Sequence, residues 1–143
     1  KILIAPNTSI GILLLLKSAL LMSPVLASSG FDLEIMETHH GKKIDSPSGT
    51  ADYLAQKILE NDRKQDVKFF PDPKKLHVHS LRGGGNPGEH SLRFLGQAEE
   101  LTITHRAYSR SLFALGALKL SWWLLKQSPG LYSLDDVSPQ DLL

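Results

Sequence analysis

The chain contains no cysteine among its 143 residues, which excludes disulfides and thiolate metal sites and fits a reducing cytoplasm. An excess of charge of one sign is also missing. Sixteen lysines and arginines face fifteen acids for a net charge of +1. The basic residues are scattered, so no basic stripe marks a nucleic-acid binder, and no nucleic-acid partner is expected. No apolar run reaches the roughly 18 residues of a membrane span, because Pro6-Asn7-Thr8-Ser9 breaks the first run and Lys17 sits inside the second. Ser23-Pro24-Val25-Leu26-Ala27-Ser28 imitates a signal-peptide cleavage site, yet a soluble, deeply packed helix accounts better for the segment before it, and no membrane partner is expected. No GxxxxGK[ST] pattern is present, and the one GxGxxG match is Gly83-Gly84-Gly85-Asn86-Pro87-Gly88. Gly83-Gly84-Gly85 precedes a predicted strand where a phosphate loop must open a helix, so it reads as a hairpin loop.

What is present suffices for one ordinary core, since 41% of the side chains are hydrophobic and this length is a common domain size. Ile2 to Ala5 reads as the last strand of a preceding sheet, and the chain as a piece of something longer. Ser9 caps a helix from Ile10 to Met22, ended by Ser23-Pro24 because the residue before proline avoids helical angles. Phe31, Leu33 and Ile35 alternate with Asp32, Glu34 and Met36 as in a half-buried strand, which delivers Glu37 and two histidines to its C-terminal end. Ala51, Leu54, Ala55, Ile58 and Leu59 then mark one face of a helix over residues 49–61. Residues 61–75 read as an exposed connection with a short strand at Val67-Lys68-Phe69-Phe70. Residues 76–81, 89–95 and 99–107 read as three strands joined by hairpins, and residues 110–126 as an amphipathic helix stopped by Ser128-Pro129-Gly130. The tail, residues 131–143, is expected to dock weakly. The fold class is therefore α+β, a sheet of about four strands with helices on one face.

Chemistry concentrates between Glu37 and Ala51. His39, His40, Lys42 and Lys43 are followed by Ser46-Pro47-Ser48-Gly49-Thr50, a helix start whose backbone N–H groups can meet a carboxylate or phosphate. The hydroxyls are also explained by ordinary capping, and Lys43 either by solvation or by service as an acid. His39 and His40 could begin a metal site with His77, His79, His90 or His105. Adjacent histidines on a strand point to opposite faces and no HExxH helix exists, so no metal is expected. His105, in phase with Leu101 and Ile103, reads as a hydrogen-bonded core histidine. Arg82 and Arg110 sit at element ends, where an arginine can fork onto a carboxylate or simply be solvated.

The pattern Glu37-x-His39-His40-x-x-Lys43-x-Asp45-x-Pro47-Ser48-Gly49-Thr50-Ala51 resembles the signature of 4-hydroxy-tetrahydrodipicolinate (dihydrodipicolinate) reductases, enzymes of diaminopimelate and lysine biosynthesis. Gly88-Glu89-His90, Thr104-His105-Arg106-Ala107, Ser109-Arg110 and Gly130-Leu131-Tyr132 follow in register. The resemblance implies a Rossmann domain followed by a substrate-binding and tetramerisation domain, of which this chain is similar to the second. Residues 1–8 would be the end of the nucleotide-binding domain, residues 9–130 the substrate domain and residues 131–143 a tail. It implies a cyclic dicarboxylate as substrate, NADH or NADPH as hydride source, a homotetramer assembled through the sheet, and a cytoplasmic location, plastidic in a plant. By resemblance His39 and Lys43 carry protons, His40, Ser48, Gly49, Thr50 and Arg110 hold the substrate, and Ala5, Pro6, Asn7 and Thr8 touch the nicotinamide. Gly41 stands where many members carry arginine, and Thr8 replaces an aromatic of some relatives. Without a pyrophosphate-binding turn the chain alone is expected to lack turnover. The rival expectation is a noncatalytic assembly or ligand-binding module of the same fold.

Overall fold

Two apolar clusters organise the chain, and the helix that starts at Ile10 contributes to both. A computed structural model describes residues 1–64 and 76–142; the strand expected at Val67–Phe70 lies outside them. The elements in order are β1 (Ile2–Ile4), α1 (Ile10–Ser28), β2 (Asp32–His39), α2 (Gly49–Lys64), β3 (Val78–Arg82), β4 (Glu89–Leu95), β5 (Glu100–Arg106), α3 (Ser111–Leu125) and β6 (Leu131–Ser133), followed by two 3-10 turns at Leu134–Asp136 and Pro139–Leu142.

The main sheet has the order β3-β2-β4-β5, with β2 parallel to β3 and antiparallel to β4, and β4 antiparallel to β5. Its alternation is strict: Leu33, Ile35, Glu37 and His39 of β2, and His90, Leu92 and Phe94 of β4, are buried. They face α1 and α2, whose Ile12, Leu16, Ala19, Ala51, Leu54 and Ile58 complete the first cluster. The other face is polar, with His79 on Glu34 at 2.6 Å and Arg93 on Glu100 at 2.7 Å. Helices on one face of a mixed four-stranded sheet is the architecture expected from the sequence.

Four expectations need correction. Residues 76–81 and 89–95 form no hairpin, because β2 lies between β3 and β4. The glycine-rich segment after β3 instead folds over the end of β2, with Gly83 N–H donating to the His39 carbonyl at 2.9 Å and His40 N–H to the Asn86 carbonyl at 2.8 Å. Helix α1 runs through Pro24 to Ser28. Proline removes the N–H that would bond the Leu20 carbonyl, and Asn61 Nδ2 of α2 takes that carbonyl at 3.2 Å. The helix thus reaches 19 residues and is long and apolar enough to cross a membrane by length and composition alone, although Ile12, Leu13, Leu15, Leu16 and Ala19 are buried in the core. Helix α2 likewise continues past Asn61 to Lys64.

The tail is the fourth correction. Leu134 and Val137 are fully buried and join Leu13, Leu120 and Trp123 in the second cluster. Polar contacts fasten it further: Ser133 caps the turn with Asp136, and Asp135 pairs with Lys57 at 2.5 Å. β6 pairs with β1 in parallel, Ile2 opposite Leu131, as a two-stranded ribbon whose Ile2, Ile4 and Leu131 side chains are exposed.

Candidate functional site

The sheet's apolar face turns polar where β2 ends. Register places Glu37 opposite His90, and His90 opposite His105, so three titratable side chains share one row across β2, β4 and β5. His39, two residues after Glu37, is on the same face. Beside this row lies a cavity of about 470 Å³.

Glu37 is 1% exposed and heavily bonded. Its Oε1 accepts from Arg82 Nη2 at 2.6 Å and from the Ser48 N–H at 3.3 Å, and Oε2 bonds His39 Nδ1. Burial pushes the Glu37 carboxyl upward, but Arg82, Ser80 and His39 outweigh it and hold the pKa below the ordinary carboxylate value. His39 is moved down by burial, against the pull of Glu37. His90, packed edge-on to His39 with ring centres 5.2 Å apart, is pushed down by burial to about 4 and is neutral at pH 7. Its Nε2 bonds the Ser48 hydroxyl at 3.2 Å, and its buried Nδ1 has no partner among the described residues. His105, lowered by burial, bonds the Ser9 hydroxyl through Nε2 at 3.1 Å, while its buried Nδ1 likewise has no partner among the described residues.

Glu37, His39 and His90 offer three ligand atoms within 4.8 Å of one another. Both carboxylate oxygens are already engaged, one by the Arg82 guanidinium. A divalent ion would meet that positive charge on its own carboxylate ligand, so the donor set fits an ion-pair network rather than a metal.

The structure brings most of the sequence-predicted site residues together. Ala5, Pro6, Asn7, Thr8, His39, His40, Lys43, Thr50 and Arg110 all line the cavity, and among the described residues no carboxylate lines it. Asn7 Nδ2 donates to Thr50 Oγ1 at 3.0 Å, joining the hinge segment to the start of α2. Thr8 Oγ1 donates to the Phe113 carbonyl at 2.8 Å. Gly116 makes this approach sterically possible, because a Cβ there would overlap the Thr8 carbonyl. At the opposite wall a Cβ on Gly88 would stand 3.0 Å from His39 Nε2, so glycine leaves that nitrogen accessible.

Ser48 and Gly49 are not in the lining. Ser48 is drawn behind the wall, since its hydroxyl bonds His90 and caps α2 by accepting from the Ala51 N–H at 3.2 Å. Gly49 N–H bonds the Asp45 carboxylate, which also pairs with Lys43 Nζ at 2.8 Å. Lys43 chiefly, and Gly49, hold the Asp45 carboxyl below its ordinary pKa. An internal carboxylate thus occupies two groups suited to an incoming one.

Sequence reasoning gave no role to Glu37 and treated Arg82 as a generic fork. Arg82 reaches Glu37 on one side and the Asp45 carbonyl, at 2.7 Å, on the other. Only the parallel pairing of β2 with β3, Thr38 opposite Leu81 and His39 opposite Arg82, brings them together. The register also explains why His90 and His105 meet the site: each is in phase with apolar neighbours, a signal that by itself indicates only an inward-facing position.

Comparison with known proteins agrees in extent and identity. The family model for the C-terminus of dihydrodipicolinate reductase matches residues 11–137. The 4-hydroxy-tetrahydrodipicolinate reductase of Aquifex aeolicus is 42% identical over 142 residues, covering 95% of this chain and 54% of that protein. That of Methanopyrus kandleri is 40% identical, covering 94% and 51%. Among solved structures, a dipicolinate-bound dihydrodipicolinate reductase from Paenisporosarcina sp. TG-14 superposes with a TM-score of 0.74 at 29% identity, covering 94% of this chain and 54% of that one. The chain spans about half the length of the curated relatives it matches.

Proposed function

Because the chain belongs to the dihydrodipicolinate reductase family, as its C-terminal part, we propose that residues 1–143 form the substrate side of an NADH- or NADPH-dependent reductase. The substrate is 4-hydroxy-tetrahydrodipicolinate and the product tetrahydrodipicolinate, on the route to diaminopimelate and lysine. The observation that carries this reading is the cavity itself: Lys43, Arg110, His40 and Thr50 converge on it with no acid in its lining. A planar ring with two carboxylates suits such a site, since cationic and hydroxyl donors from opposite sides can each take one.

The nicotinamide, when bound, would supply hydride to the ring, and the protein the proton with which the 4-hydroxyl group leaves as water, so that substrate, hydride and proton balance product plus water. His39 presents Nε2 beside Gly88, and Lys43 also lines the cavity, on a chain turn closed by its own N–H to the His40 carbonyl at 3.0 Å. Either can deliver a proton to a ring held between them. Thr50 and the N–H groups opening α2 bind one carboxylate, which displaces Asp45 from Lys43 and Gly49. Ala5 to Thr8 fit the nicotinamide end only, and the GxGxxG spelled by Gly83, Gly85 and Gly88 joins β3 to β4 where a pyrophosphate turn must open a helix.

Supporting this division, the β1–β6 ribbon is parallel with exposed apolar side chains, as is the outer face of α3 at Leu115, Leu118 and Trp122. Parallel sheets are stable when covered on both faces, and a nucleotide-binding domain would cover this one. The edge of β5, unpaired among the described residues, supports tetramer assembly through the sheet. The cysteine-free composition supports a reducing cytoplasm.

Calorimetry with pyridine-2,6-dicarboxylate tests the reading. Binding by the 143-residue chain that weakens at least about tenfold in Lys43→Ala and in Thr50→Val is expected, the loss of a charge-assisted hydrogen bond. NAD(P)H-dependent turnover by these residues alone at ordinary rates would overturn the division of labour. Tetramers without dicarboxylate binding would favour a noncatalytic assembly module.

A further inference from the structure

Among the described residues Glu37 is the only buried acid. Its donors come from three places: Arg82 on β3, the Ser48 N–H before α2, and His39 on its own strand. A carboxylate gathered by that many donors stays ionised despite burial, and an ionised acceptor on Nδ1 requires a proton there. In the neutral ring Nε2 then carries none. That nitrogen lies beside Gly88 in the cavity wall, 3.0 Å from where a Cβ would stand.

We propose that Glu37 is a positioning residue for His39: it fixes the Nδ1–H tautomer, turns Nε2 toward the cavity, and offsets the positive charge that appears when Nε2 takes up a proton. The proposal rests on reading His39 as the group that exchanges a proton with the ligand. The charges facing His39 oppose one another. Lys43 and Arg82 disfavour the imidazolium, burial does so more strongly, and Glu37 favours it. His90, the ring packed on it from β4, is neutral above about pH 4 and adds no charge there. Glu37 is therefore the group whose loss should move His39.

Nitrogen-15 NMR of the imidazoles in the 143-residue chain, titrated across neutral pH, tests this. Wild-type His39 is expected as the Nδ1–H tautomer when neutral. In Glu37→Gln its titration midpoint falls by about one unit or more and the tautomers mix, while Glu37→Asp, which keeps the charge, stays closer to wild type. A neutral Nε2–H ring in the wild type overturns the proposal without any variant having to fold. So does a Gln variant whose midpoint and tautomer are unchanged. Pyridine-2,6-dicarboxylate added to the wild-type sample should shift the His39 signals. Their failure to move overturns the reading of the cavity as the substrate site, whereas tautomer and midpoint bear on Glu37 alone.

Discussion

The two sides of the cavity are built differently. At the end of β2, Glu37, His39, Ser48 and His90 are buried, and each is bonded to another of the group. Lys43 and Arg110 form a more solvated rim, and the pair that Lys43 makes with Asp45 has 22% and 55% of its side-chain surfaces exposed. Buried polar groups are costly to leave unpaired, so their geometry is exacting. Exposed ion pairs are worth little and exchange readily. The wall therefore fixes where a proton can be exchanged, and the rim is free to trade its own carboxylate for a ligand's.

This contrast can be broken by experiment, most severely at Glu37. Glu37→Ala takes the carboxylate from Arg82, His39 and the Ser48 N–H and should cost about 3 kcal/mol or more of stability in urea unfolding, whereas Lys43→Ala should cost at most about 0.5 kcal/mol. Equal losses would erase the distinction between wall and rim.

Acid is the next probe. His90 has a folded pKa of about 4, below the ordinary histidine value of 6.5, so the unfolded chain takes up the proton first. Its contribution is complete above about pH 6.5 and is lost as pH falls toward 4, to a limit of roughly 3 kcal/mol. His39 and His105, shifted the same way, add to the slope. Unfolding free energies that fall over this interval, less steeply in His90→Gln, are expected; a flat profile would place the wall in contact with water.

The smallest effect belongs to the rim. Asp45→Asn removes the carboxylate now held by Lys43 and Gly49, so pyridine-2,6-dicarboxylate should bind about three- to fivefold tighter, the worth of one exposed ion pair. Unfolding should be unchanged within about 0.5 kcal/mol. Weaker binding would mean that Asp45 aims Lys43 rather than competing for it.

Much of this architecture was legible in local pattern. Alternation from Phe31 to Met36 identified β2 and its buried face, the 3–4 spacing from Ala51 to Leu59 identified α2, and the charged loop between them located the cavity. Local rules failed where a distant group intervened. Pro24 should end α1, but Asn61 satisfies the freed Leu20 carbonyl, and Leu26 and Ala27 beyond it pack half-buried against the core. The tail carries Asp135, Asp136 and Asp141 and looked solvated, yet Leu134 and Val137 are buried against Leu13 and Trp123. Ser48 was expected to face a ligand, and His90, across the sheet, draws it inward.

The sequence by itself determined which residue types stand together on the loop from Glu37 to Ala51, and which strand positions face inward, because strand and helix periods are properties of the local backbone. Strand order was beyond it. Setting β2 between β3 and β4 depends on a crossover and on registers between residues 43 positions apart in one pair and 51 to 63 in the other, and that arrangement carries Arg82 to Glu37 and His90 to Ser48. A carboxylate's role depends on the donors that reach it, and here those donors were chosen by tertiary packing.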